Sequence, residues 1–229
     1  MAIKSILQSF KLTRGLYKQL ANMKKEIIFE KKRKTIQKSG LKTIETIQRF
    51  LQKEKFDFFF DMGTLLGIIR EGRLLGHDLD IDVGCFVNSN EEKERLSSTL
   101  IKNKCQLKYR YEIEGIGVVE ESYILNNIKF DVNFYFTEND KSVCYLMYKD
   151  PGMEYDKDCL SVVKLTCSRI EMIRSYKWRD VDINVPENPE QYLANRYGEN
   201  WRIPDKNYIY WKGPSTIPTN LKGYRTVDR

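Results

Sequence analysis

Residues 74–86 read LLGHDLDIDVGCF, and within them Asp78, Asp80 and Asp82 alternate with Leu79, Ile81 and Val83. A period of two is the pattern of a β-strand, whose successive side chains point to opposite faces. The three carboxylates therefore share one face, spaced about 6 to 7 Å apart. At that spacing mutual repulsion raises their pKa values or weakens the strand unless a cation offsets it. The chemistry such a face can do is metal binding; the ordinary alternative is a wet polar face on a half-buried strand. An EF-hand loop is excluded, because with Asp78 in first place the sixth residue, required to be Gly, is Val83 and the twelfth, required to be Glu, is Ser89.

Two flanking segments must be brought to that face. Upstream, FDFFFDMGTLLGIIREG implies a strand at 56–61, a turn at Gly63 and a helix from about 65 to 70, with Thr64 as N-cap and Gly72 at the exit, before the acidic strand begins at 78. Gly63 lets backbone approach a ligand closely, and the helix N-terminus offers N–H groups and a positive dipole end to a phosphate. Downstream, IKFDVNFYF at 128–136 alternates again, with Val132, Phe134 and Phe136 on one side and Asp131, Asn133 and Tyr135 on the other. A lone acid in an aromatic strand is costly if buried unpaired, so Asp131 is expected to join Asp80 and Asp82. His77 is the single histidine, which excludes chemistry needing two imidazoles.

Elsewhere the pattern gives a polar helix at 90–102, strands at 105–113, 118–125 and 128–136, and a hairpin turn at Asn126-Asn127. MIRSYKW and VDINV pair across Arg179-Asp180. A helix then runs from Asn188 as N-cap, through Pro189 and Gln191, to Gly198. The tail from about 205 reads as irregular. Residues 3–20 place Ile3, Ile6, Leu7, Phe10, Tyr17 and Leu20 at helical spacing among lysines, interrupted by Gly15. Residues 1–55 hold 15 Lys/Arg against 4 Asp/Glu, and the remainder 24 against 28, so the basic excess is N-terminal. Residues 1–22 fit a peripheral contact with an anionic membrane, or packing on this chain or a second copy in a homo-oligomer; nucleic acid ranks last, because aromatics are not interleaved with the charges. Five scattered cysteines without a C-x-x-C pair indicate neither zinc nor a disulfide framework. No run of about 18 apolar residues is present.

The segment GTLLGIIREGRLLGHDLDIDVG resembles the signature of the LicD and fukutin-related family, a branch of the nucleotidyltransferase superfamily, and VPENPEQYLANRYGENW is similar to a second block of it. The resemblance covers residues 57–136 closely and 171–204 more loosely. It implies an α+β fold, a nucleotidyltransferase-like mixed β-sheet flanked by helices. The expected division is a basic helical extension at 1–52, a catalytic domain at 53–204 and a tail at 205–229 packed on it.

The resemblance further implies a phosphotransferase that moves a phospho-alditol or phosphocholine group from a CDP-linked donor to a glycan or lipid-linked glycan, releasing CMP. Asp80, Asp82 and Asp131 would be catalytic and would hold Mg²⁺, or Mn²⁺ in its place. Gly63-Thr64 would bind phosphate, Arg70 or Arg73 would neutralise the departing nucleotide, and Asp78 would orient the acidic pair. The family's animal zinc element and membrane-spanning N-terminus have no counterpart here, which suggests a cytoplasmic protein, at most peripheral on the inner face of the membrane. Two readings compete: a nucleotidyltransferase releasing pyrophosphate from a nucleoside triphosphate, and a non-catalytic basic scaffold.

Overall fold

The computed structural model of the chain describes the backbone of residues 2–226 and side chains from residue 19 onward. Among these residues it has four α-helices and ten strands. Helix α1 (Ala2–Lys53) is continuous over 52 residues, about 78 Å at 1.5 Å per residue. The interruption expected at Gly15 does not occur, since one helical glycine costs only about 1 kcal/mol. The apolar stripe expected over residues 3–20 lies, Leu20 apart, outside the described side chains. The C-terminal half of α1 belongs to the core: Ile36, Ile44, Ile47 and Leu51 are all buried. Gln48 locks it there, donating to Asn184 Oδ1 (2.7 Å) and accepting from the Asn184 N–H (3.0 Å). A Cβ at Gly40 would stand 2.4 Å from Leu74 Cδ1, so the helix meets the loop at 74 with bare backbone.

The elements that carry the acids follow in the expected order: β1 (Phe58–Phe60), α2 (Met62–Glu71), β2 (Asp80–Phe86), α3 (Asn90–Lys102), β3 (Gln106–Ile113), β4 (Gly117–Leu125) and β5 (Ile128–Glu138). Asn126 and Asn127 both have positive φ (53° and 61°), as a two-residue hairpin turn requires. Then come β6 (Lys141–Tyr148), β7 (Leu160–Ser168), the β8 (Ile173–Trp178) and β9 (Val181–Pro186) hairpin, α4 (Pro189–Tyr197) and a 3₁₀ turn at Tyr210–Lys212. The tail expected to be irregular contains a last strand, β10 (Thr216–Thr226), which inserts between β3 and β7. Its Pro218 and Gly223 read as breakers, but both flanking edges supply partners, and the register slips between Pro218 and Lys222 to accommodate the proline.

The main sheet runs β1-β2-β5-β4-β3-β10-β7-β6, and a further β5–β6 pairing closes its last six strands into a ring with β1 and β2 as a side wing. Among the described residues β2 and β5 form the one parallel pair. The main core lies between the sheet and the helices, and a smaller one of Ile113, Val119, Met147, Leu160 and Val162 joins the ring strands. Among the described residues no helix is long and apolar enough to cross a membrane. Because Ile47 is fully buried, Ile47→Ala should cost about 2–5 kcal/mol in urea unfolding. The exposed Ile27→Ala on the same helix should change stability by less than about 0.5 kcal/mol.

Candidate active site

The parallel register of β2 on β5 sets Asp80 beside Lys129 and Asp82 beside Asp131. The antiparallel register of β4 adds Ser122 opposite Asp131 and Glu120 opposite Asn133. Residues paired in register point to the same face, about 5 Å apart, so four acids, one lysine and one serine share a single patch. Lys129 Nζ lies 2.9 Å from Asp80 Oδ2 and 2.6 Å from Asp131 Oδ2. The Ser122 hydroxyl donates to the other Asp131 oxygen at 2.5 Å. Asp131 therefore joins the acidic strand as expected, held on both oxygens and almost wholly buried.

Helix α2 presents its first turn to this patch, but its N-cap is Asp61 and not Thr64. The Asp61 carboxylate accepts from the Met62 N–H (2.6 Å), the Tyr135 hydroxyl (2.7 Å) and the Tyr192 hydroxyl (2.6 Å). Thr64 sits one turn further in, fully buried. Its Oγ1 accepts from the Asp82 N–H at 2.9 Å, while the Asp82 carbonyl accepts from the Asp61 N–H at 3.1 Å. The backbone of Asp82 is thus held by both residues, and Thr64 orients the acid instead of capping the helix. Gly72 ends α2 in the left-handed region (φ 65°), as expected.

Asp78 precedes β2, which starts at Asp80 and not at 78. It reaches back to α2: a Cβ on Gly63 would stand 2.6 Å from Asp78 Oδ2, so a larger residue there would make that carboxylate shift. Burial pushes Asp78 up to about 6 despite His77, whose Nε2 lies 3.7 Å away. Asp82 is raised well above the usual carboxyl range by burial and by the charges of Asp80 and Asp131. Asp131 is raised by burial, with Lys129 opposing. Burial and the Asp131 charge push Glu120 up to about 8, again against Lys129.

The two arginines expected at a phosphate both pair with Glu71. Arg70 pairs with Glu71 (2.9 Å) and donates to the Trp201 carbonyl (3.3 Å), though its charge is felt at Asp78. Arg73 pairs with Glu71 at 3.0 Å and is largely exposed. The cation in the patch is Lys129, which sequence reasoning missed although it stands two residues before Asp131 and so on the same face of the strand. Glu120 and Ser122 were missed for another reason, since only the β4–β5 register reveals them.

The oxygen-only donor set suits a hard cation such as Mg²⁺, which Asp80, Asp82 and Asp131 would hold, and the Lys129 ammonium contacts two of these three carboxylates. Among the described residues no three acidic, His or Cys side chains are grouped closely enough to hold a metal ion as they stand.

Residues 55–188 match the family described as LicD/FKTN/FKRP, nucleotidyltransferase domain. Ribitol-5-phosphate transferase FKTN of Homo sapiens is 23% identical over 188 residues, covering 80% of this chain and 37% of that protein. The Mus musculus counterpart is 23% identical over 199 residues, covering 85% of this chain and 38% of its own length. The chain thus spans little more than a third of the curated relatives it matches.

A carboxyl whose pKa is raised by folding binds its proton more tightly in the fold, so its contribution to stability is lost as pH rises from its ordinary value to its folded one. That window runs from 3.8 to about 6 for Asp78 and from 4.5 to about 8 for Glu120. In the presence of a chelator, the thermal midpoint should therefore fall between the acid and the alkaline end of these windows. Glu120→Gln should flatten the fall in its upper half, which differential scanning calorimetry across pH would check.

Proposed function

The chain belongs to the LicD/FKTN/FKRP nucleotidyltransferase-domain family, and from that premise we propose that it is a Mg²⁺-dependent phosphotransferase. It would transfer a phospho-alditol or phosphocholine-type group from a CDP-linked donor to a glycan or lipid-linked glycan, releasing CMP. The observation that carries this reading is the pairing of Asp82 with Asp131 under the first turn of α2. Phosphoryl transfer needs charge neutralisation and in-line positioning more than covalent help. A diphosphate with a divalent cation meets both needs where carboxylates lie beneath a helix N-terminus.

Asp80, Asp82 and Asp131 would hold the metal, which when bound neutralises charge on the donor diphosphate and on the departing CMP. Thr64 keeps Asp82 in place through its backbone N–H. Helix geometry leaves the first-turn N–H groups of Gly63 and Thr64 without intrahelical acceptors, available to a phosphate oxygen. Asp131 Oδ1 is held by Ser122, so its other oxygen serves the metal or takes the proton of the acceptor hydroxyl. Asp78, shielded against Gly63, supports Asp80 and Asp82 without joining them. Lys129 takes the phosphate-facing role expected of Arg70 and Arg73. The similarity to ribitol-5-phosphate transferases supports an alditol cargo.

We also propose that the protein meets an anionic membrane surface through α1. Support comes from Leu20, Met23, Ile27 and Ile28, exposed on the same stretch of helix as Lys24, Lys25, Lys31 and Lys32. Apolar residues flanked by lysines suit the boundary between acyl chains and anionic headgroups. Sedimentation with phosphatidylglycerol vesicles should carry the protein down at low salt, and Ile27→Glu with Ile28→Glu should leave it in the supernatant; equal binding to neutral vesicles would contradict the assignment.

The catalytic reading is tested by incubating the protein with Mg²⁺, candidate glycans and CDP-linked ribitol, glycerol or choline, and measuring CMP. CMP release should depend on metal and acceptor, and Asp82→Asn should lower it by at least about 10²-fold with the thermal midpoint retained. Pyrophosphate release from a nucleoside triphosphate, with no CMP from any CDP-linked donor, would favour the nucleotidyltransferase alternative instead.

A further inference from the structure

Lys129 is the cation of the acid patch, and neither the sequence pattern nor the family resemblance assigned it. Its ammonium contacts Asp80 and Asp131 at once, through the Oδ2 atom of each. A divalent cation held by both carboxylates would compete for the same oxygens. Magnesium binds oxygen at about 2.0–2.1 Å, so a bridging ion would occupy the space the ammonium fills. Two positive charges do not share that space, and either the metal stays out or the lysine moves.

The structure gives the lysine a way out. Its side chain is 32% exposed, against 11% for that of Asp131, so the ammonium sits on the open side of a buried carboxylate. A four-carbon stem with a compact, strongly hydrated head can swing while its backbone stays in the strand. Arg70 and Arg73, by contrast, are paired with Glu71. A donor diphosphate arriving with its metal brings new negative charge to the same place, and among the side chains of the patch itself Lys129 is the cation able to meet it.

We propose that Lys129 is an exchangeable resident cation. It neutralises Asp80 and Asp131 in the empty site, is displaced when a divalent cation bridges those carboxylates, and then turns to a non-bridging oxygen of the donor diphosphate. Metal binding and diphosphate binding are thereby coupled through one side chain. The exchange rests on the reading of the cluster as a metal and diphosphate site.

The test uses the unmodified chain, with Mn²⁺ as the metal and CDP as the diphosphate. Lysines are pulse-labelled with an acylating reagent and quantified by peptide mass spectrometry, while bound Mn²⁺ is counted independently from its paramagnetic resonance signal. An ammonium held between two carboxylates is kept charged and shielded, so saturating Mn²⁺ should speed labelling of Lys129 by roughly tenfold. Adding CDP should slow it again. Lys164 of β7, paired with Glu138 at the far end of β5, is the internal control and should not respond. Bound Mn²⁺ with unchanged Lys129 labelling would overturn the exchange while leaving the metal reading standing. No bound Mn²⁺ at all would overturn both.

Discussion

Like charges held side by side on neighbouring strands are the constraint from which the site follows. The parallel pairing of β2 and β5 puts Asp82 next to Asp131 with no freedom to separate, because the register that does so also aligns Val83 with Val132 in the core. A slip of one residue would turn the acids inward and those valines outward. The fold therefore maintains the repulsion, and the residues around it are those that make it tolerable. Lys129 bridges Asp80 and Asp131, Ser122 donates to the second oxygen of Asp131, and the raised pKa values of Asp82 and Glu120 mark what is left uncompensated.

Behind the patch a second polar cluster fixes α2. Asp61 is fully buried, accepts from one backbone N–H and two tyrosine hydroxyls, and shares its surroundings with the buried Arg196, whose charge it offsets. Tyr192 and Arg196 come from α4, so a helix far along the chain decides how the first turn of α2 stands over the acids. A buried carboxylate left without these partners would be costly. That couples the second sequence block, around residues 185–201, to the first through one network and not through direct contact with the carboxylates.

Much of this was legible in the sequence where local rules act alone. The alternation in LDIDV and FDVNF, the Asn126-Asn127 turn and the Asn188-Pro189 start of α4 were each decided by nearest neighbours, and each stands where the residues imply. Local signals misled where a long-range partner outbid them. Thr64 has the chemistry of a cap, but Asp61 holds that place because Tyr135 and Tyr192 reach it, and Thr64 is drawn to the Asp82 N–H instead. β10 was hidden because its strand character comes from the edges of β3 and β7 and not from its own residues.

The central claim is that the patch built on Asp82 and Asp131 binds a divalent cation. Equilibrium titration of Mn²⁺ into the wild-type chain and into Asp82→Asn and Asp131→Asn tests it most directly, with far-ultraviolet circular dichroism verifying that the variants are folded. The account predicts a single class of bound ion per chain in the wild type, lost in both variants. Binding of equal strength and stoichiometry in all three proteins would contradict it.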